Sequence, residues 1–183
     1  MHEDQPATRF RELVVPHLQD ALMFARGLTG NRDDAEDVVQ EACLRAYAAT
    51  GRGTVRHPRA WLLAIVRNTA FTWMAKNRPK AVLALGDDAE IDRLAETADA
   101  ASTDTAILTP EAELIRKAEA AAVQRAVDAL PALLREVLVL REFNELSYRE
   151  IADLLSLPIG TVMSRLSRAR LMLAISIAEA HRD

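Results

Sequence analysis

Apolar residues recur through the first third of the chain at the alternating three-and-four spacing of a helix face. Phe10, Leu13, Val14, Leu18, Ala21, Leu22, Ala25 and Leu28 form one such run. Pro16 is expected to bend or split it, because its ring removes a backbone donor and crowds the preceding turn. Thr29-Gly30 closes the run, with Gly30 placed as a C-terminal cap. Asn31 then caps a second helix, whose first turn carries Asp33, Asp34, Glu36 and Asp37 in accord with the helix dipole. Its apolar face is Ala35, Val38, Val39, Ala42 and Ala46. Gly51-Arg52-Gly53 breaks the pattern. Pro58 suits the first turn of a further helix, with Trp61, Leu62, Ile65, Val66, Thr69 and Trp73 facing inward.

After Arg78-Pro79 the pattern changes. Residues 81–109 mix acids with Ala, Ser and Thr and hold no sustained period, so they read as a flexible acidic linker, with at most a transient helix around Asp87 to Ala98. Pro110 opens a second helical segment, with Leu114, Ala118, Ala121, Ala122, Ala126 and Leu130 on one face. Pro131 opens a shorter helix carrying Leu134, Val137, Leu138 and Arg141. No strand-like alternation is found. The expected fold class is all-α: two small helical domains, residues 1–80 and 110–183, joined by the linker 81–109.

Composition agrees with this reading. Half of the 183 residues are hydrophobic and only 4% aromatic, which favours helices and permits a buried core. No apolar run approaches the roughly 20 residues that span a bilayer, and Met1-His2-Glu3-Asp4 is not a basic leader, so no membrane insertion and a cytoplasmic location are expected. Cys43 stands alone and reads as a small core residue. The net charge of −4 conceals a strong segregation. Seven Lys or Arg and no acid lie between Gly51 and Lys80; nine acids and one base, Arg93, lie between Ala81 and Glu113; three Arg and no acid lie between Leu154 and Ala178. Two basic stretches flank an acidic one.

The densest local signal runs from Leu146 to Arg170. Ser147 followed by Glu150 is a capping box, Ile151, Ala152 and Leu155 give a short helix its buried side, and Ser156-Leu157-Pro158 has the length of a helix-turn-helix turn. Ile159, Val162, Leu166, Ala169 and Leu173 then mark the buried face of a longer helix. Thr161, Ser164, Arg165, Ser167 and Arg168 are assigned to the opposite face, where hydroxyls and guanidiniums suit base edges and phosphates. The amides of Gly160 and Thr161 lie at a helix N-terminus, where a phosphate is favoured. A solvated surface helix is the ordinary alternative. The coincidence of cap, turn, glycine and missing acids favours duplex DNA.

On these residues the run Ser147 to Arg170 resembles the promoter-reading C-terminal domain of extracytoplasmic-function (ECF) sigma factors of the sigma-70 class. Asp34-Ala-Glu-Asp-Val-Val-Gln-Glu-Ala-Cys-Leu-Arg-Ala-Tyr47 resembles the family's core-polymerase-binding helix. Pro58-Arg-Ala-Trp-Leu-Leu-Ala-Ile-Val-Arg-Asn68 resembles its segment for melting and reading the −10 element. The resemblance implies a sigma-2-like domain over 1–80 and a sigma-4-like domain over 110–183. It implies that Asp37, Gln40 and Glu41 meet the clamp of the polymerase largest subunit, with the flap as a second polymerase contact. Trp61, Arg67 and Asn68 would read opened DNA, and Lys76, Arg78 and Lys80 would track the single-stranded backbone. In the recognition helix, Met163, Ser164, Ser167 and Arg168 would face bases of the −35 element, with Gly160, Thr161 and Arg165 nearer phosphates. Asp87, Asp88, Glu90 and Asp92 of the linker would mimic phosphate charge inside the polymerase, and an anti-sigma partner would regulate the whole. Three positions depart from the family pattern: Thr72 stands where an acid is common, Ala75 where Arg is common, and Met163 where Lys or Arg is common.

Three other readings fit the chain less well. A sigma-like decoy that has given up DNA is disfavoured by Arg165, Arg168 and the acid-free helix. A plain helix-turn-helix repressor leaves the N-terminal half unexplained. Catalysis is least favoured, since His2, His17, His57 and His181 are scattered and no Gly-rich phosphate loop is present; neither cofactor nor metal is expected.

Overall fold

The protein is described from a computed structural model, which describes residues 5–78 and 110–180. The acidic linker, its helix around Asp87 to Ala98, and Lys80 lie outside the described residues. Among the described residues the chain is helical throughout, without strands. Four helices precede the linker: α1 (Gln5–Val14), α2 (Leu18–Thr29), α3 (Arg32–Ala49) and α4 (Pro58–Asn77). A single 3₁₀ turn, Val15–His17, separates α1 from α2, and Pro16 lies inside it. Gly30 ends α2 with φ 81°, and Asn31 starts α3 by accepting the Asp34 amide proton at 2.9 Å. The sequence signals at both ends of this hinge are therefore realised.

After the linker come α5 (Pro110–Ala129), α6 (Ala132–Glu142), α7 (Tyr148–Leu155) and α8 (Ile159–Ala180). Helices α2, α3 and α4 pack on one another, and α8 packs on α5, α6 and α7. No helix among the described residues is long and apolar enough to cross a membrane.

The two groups also pack against each other, which the pattern of the chain did not announce. Helix α6 lies against α2 on one side and α8 on the other, while α7 reaches α4. Its two sides explain this position. Leu134 and Leu138 join a cluster with Val127, Leu130 and Ala169 inside the second group. Val139 and Leu140 join a different cluster, continuous with Leu28, Leu62, Leu63 and Val66 of the first group and with Ile151, Val162 and Leu166. A helix covered on both sides buries apolar residues on more than one face, as Leu134 and Val137 to Leu140 do here. Each such side chain contributes about 1.5–3 kcal/mol when taken from water.

Gly27 marks the closest approach between the groups. A β-carbon there would stand 2.6 Å from both methyls of Val139, so only a residue without one lets α2 and α6 meet at this distance. Polar ties flank the apolar contact. Arg59 donates to both carboxylate oxygens of Asp20, at 2.7 and 3.1 Å, and to the backbone oxygen of Asn144 at 2.5 Å. Asn144 donates back to the Asp20 carbonyl at 3.0 Å, and Arg135 donates to the Leu28 carbonyl at 3.1 Å.

Candidate nucleic-acid and polymerase interface

The helix-turn-helix is built as its residues require. Ser147 accepts the Glu150 amide, and Glu150 reaches back to the Ser147 amide at 2.8 Å and to its hydroxyl at 2.6 Å. These bonds hold the Glu150 carboxyl below its ordinary pKa, because its hydrogen-bond donors favour the ionised form. Ser156 closes α7 in the left-handed region, φ 55°, and its amide donates back to α7 carbonyls. Ile151, Ala152 and Leu155 are buried as expected. The relative placement of α7 and α8 is thus fixed by a two-ended cap and a three-residue turn.

Helix α8 buries Val162, Leu166 and Ala169. Leu173 is half-buried, and Ile159, expected inside, is half-exposed. Periodicity names a helix face; it does not say where the covering neighbour ends. The outward stripe is Gly160, Met163, Ser167 and Arg170, again at three-and-four spacing. Met163 lies at its middle and is 52% exposed. Thr161, Ser164 and Arg168 flank the stripe at intermediate exposure, with the Ser164 hydroxyl donating to the Thr161 carbonyl at 3.0 Å. Arg170 was not singled out from the sequence. It is held by Glu142 of α6 at 2.6 Å, and that bond raises its pKa.

Arg165 is placed differently from the expectation. It is 7% exposed and lies inward, 3.8 Å from Glu136 of α6, rather than on the outer face. The reason was present in its spacing: three residues after Val162 and four before Ala169, Arg165 falls on the apolar side of the helix.

Glu136 is fully buried and meets a second arginine, Arg67 of α4. Arg67 Nε donates to one carboxylate oxygen at 2.6 Å and Nη2 to the other at 3.1 Å. Burial pushes the Glu136 carboxyl above its ordinary value, outweighing the two guanidiniums that act in the opposite sense. The sequence reading missed Glu136. An acid three and four residues before Val139 and Leu140 was the available signal, but only if α6 were known to have two buried sides.

The other residues expected to read opened DNA fall into three settings. Trp61 is half-buried and lines an open cavity of about 520 Å³ with Ala49, Gly53, Thr54, Val55, Arg56 and His57. Asn68 and Lys76 are exposed on α4, as are Thr72 and Ala75. Arg78 is engaged: it donates to the Thr29 carbonyl and to Asp34, both at 2.7 Å, and lies over the Trp73 ring.

On α3, Asp37, Gln40 and Glu41 are all exposed, and Glu41 pairs with Arg45 at 2.9 Å. The same side carries Leu44, 64% exposed, and Tyr47, whose ring meets Phe10 edge-on. An apolar side chain centred in a polar stripe is the usual anatomy of a docking surface. Leu44 was passed over in the sequence because a single leucine carries no periodic signal.

Comparison with known proteins decides what these surfaces belong to. Residues 13–79 match the Sigma-70 region 2 family and residues 120–173 match Sigma-70, region 4. Over 165 residues the chain is 39% identical to the RNA polymerase sigma-H factor of Pseudomonas aeruginosa, covering 88% of this chain and 82% of that one. The chain belongs to the ECF sigma factors of the sigma-70 family. It is 35% identical over 142 residues to the ECF RNA polymerase sigma-E factor of Escherichia coli, covering 75% of this chain and 70% of the other. As a fold it resembles the sigma factor RpoE of Bartonella quintana, solved in complex with the anti-sigma factor NepR, with TM-score 0.62 and 24% identity over 92% of this chain and 96% of that chain. For an ECF sigma factor the matched regions coincide with the two helical groups, and the unmatched stretch contains the acidic linker.

Proposed function

We propose that this sigma factor divides its work among three surfaces. The chain binds core RNA polymerase, recognises the −35 and −10 elements of its promoters, and starts transcription of a specific regulon in the cytoplasm. The α3 surface of Asp37, Gln40, Glu41 and Leu44 docks on the clamp of the polymerase largest subunit. Helix α8 enters the major groove of the −35 element. Its outward stripe carries this reading: Met163 and Ser167 face base edges, Gly160, Thr161 and Arg170 lie toward phosphates, and Ser164 and Arg168 border the groove. A thioether at the centre of the stripe favours apolar contact with a thymine methyl over a charged hydrogen bond.

The −10 element is opened and read at α4, where Trp61 and the cavity beside it offer a stacking face for an unpaired base, and Asn68 and Lys76 border the strand. The domain limits are 1–80, 81–109 and 110–183, and the acidic linker lies between the two DNA-reading ends. An anti-sigma partner controls the factor, in keeping with the complex solved for its structural relative.

A photo-crosslinking amino acid placed at Met163 and, separately, at Trp61 tests the division of labour in a holoenzyme–promoter complex. Crosslinks to the upstream element from position 163 and to the unpaired strand from position 61 are expected. Crosslinks from both positions to the same element would overturn it.

A further inference from the structure

Helix α8 carries no acid of its own between Ile159 and Ala178, yet an acid meets its outward stripe. Glu142, the last residue of α6, accepts from Arg170 Nη2 at 2.6 Å and from Nε at 3.2 Å, both through Oε1. Helix stability does not account for this acid. The C-terminus of a helix carries partial negative charge, so a carboxylate in the last turn of α6 is unfavourable there. An exposed ion pair also returns little stability by itself.

The place of Glu142 is nevertheless fixed. Its neighbour Arg141 donates to the Leu146 carbonyl at 3.0 Å and lies 5.2 Å over the Tyr148 ring, which holds the corner between α6 and α7. The Phe143 amide closes α6 on the Val139 carbonyl at 3.0 Å. Glu142 and, after it, Tyr148 hold the Arg170 guanidinium above its ordinary pKa. Arg170 follows Met163 by two turns, about 10 Å along the same face. The major groove is about 12 Å wide, so with Met163 over base edges position 170 falls at the phosphate rim. Glu142 engages Nε and Nη2 of a group with several further N–H donors, and the Arg170 side chain remains 50% exposed.

We infer that Glu142 is a positioning residue for −35 recognition: it tethers the Arg170 guanidinium in one orientation at the groove edge and offsets its charge, so that α8 settles on the duplex in one register. The inference rests on the reading of α8 as the −35 helix with Arg170 toward phosphates. Phosphate contacts carry no sequence information, but they fix the register in which base edges are read. An arginine swinging on its long side chain can follow a phosphate through several registers, and it adds its whole charge to non-specific binding. One tied to α6 does neither.

Holoenzyme made from the full chain and core polymerase tests this on two promoter duplexes. One carries a −35 sequence selected from a randomised library by the unmodified holoenzyme; the other has a single base pair of that element changed. Glu142→Gln should steepen the dependence of log affinity on log salt by about 0.9 on both duplexes, the effect of one phosphate contact no longer offset by an acid. It should also reduce discrimination between them by about fivefold, the worth of one oriented hydrogen bond. Glu142→Asp keeps the charge and should leave the salt dependence unchanged. In an Arg170→Ala background the loss of discrimination should vanish. The urea midpoint of the free chain should not move in Glu142→Gln, because the pair is exposed.

Unchanged salt dependence and discrimination in Glu142→Gln would overturn the inference. So would an equal loss of affinity on both duplexes with a lower urea midpoint, which is what a merely structural pair would show. Arg170→Ala separates the two levels. If it weakens binding to both duplexes while Glu142→Gln changes nothing, the inference alone fails; if it leaves both affinities unchanged, position 170 does not face DNA and that part of the −35 reading fails with it.

Discussion

Replacing Gly27 by alanine adds one methyl group at the tightest point between α2 and α6. The new carbon would meet both Val139 methyls at 2.6 Å, where carbon pairs settle at about 3.5–4.0 Å, so α6 must retreat by about 1 Å or Val139 must turn. Overpacking of this kind costs about 1–3 kcal/mol, which is about 5- to 150-fold in the balance between closed and open chain. Within α2 the same change acts oppositely, since alanine is about 1 kcal/mol better than glycine in a helix interior. The signature is therefore a pair of opposite signs: a more stable first helical group and a less closed molecule. Small-angle scattering should show a larger radius of gyration, while amide exchange within α3 and α4 is unchanged or slower. Val139→Ala removes the methyls that are struck, so the double variant should regain compactness, with a coupling of about 1 kcal/mol or more. If Gly27→Ala leaves the radius unchanged, or if Val139→Ala fails to restore it, the packing argument for closure is wrong.

Other outcomes follow from the same geometry. Ser147→Ala removes the cap of α7 and should lower stability by about 1 kcal/mol near neutral pH, measured by urea unfolding. Ser147 holds the Glu150 pKa below its ordinary value, so the electrostatic part of the cap is present above the ordinary carboxylate range. It fades as pH falls through the lowered folded value, and the two unfolding curves should draw together in acid. Glu136 has the opposite sign. Its pKa is raised in the closed chain, where Arg67 of α4 and Arg165 of α8 face it, so closure holds a proton that opening releases. The open fraction, read by fluorescence transfer between the helical groups, should rise as pH climbs from the ordinary carboxylate value through the raised one; a flat profile would count against it. Leu44→Ala should weaken binding to core polymerase by about tenfold while leaving the melting temperature unchanged, because the side chain is 64% exposed in the free chain.

Much of this molecule was legible in its sequence because its helix ends carry explicit chemistry. Pro16, Gly30, Asn31, Pro58, Pro131 and the Ser147–Glu150 box each specify a local backbone state, and each lies at an element boundary in the structure. Three-and-four spacing correctly named Val162, Leu166 and Ala169 as buried. What the chain did not show is how the helical groups meet. That arrangement depends on surfaces far apart in sequence, and its residues look ordinary one at a time: Gly27 as a helix glycine, Glu136 as a surface acid, Arg165 as a groove-facing base. Position 165 shows the limit most clearly. Its side chain is long enough to read as surface, yet its angular position on the helix lies among apolar neighbours. Glu136, 3.8 Å away, is a carboxylate that makes an inward arginine acceptable.

The central claim is that this chain confers promoter choice on RNA polymerase. Run-off transcription with purified core enzyme and a library of randomised promoter templates tests it most directly. The account predicts transcripts that depend on the chain and come from templates sharing one −35 and one −10 sequence, with Met163→Lys shifting the preference at −35 alone. A chain that neither binds core polymerase nor directs a single start site would contradict it.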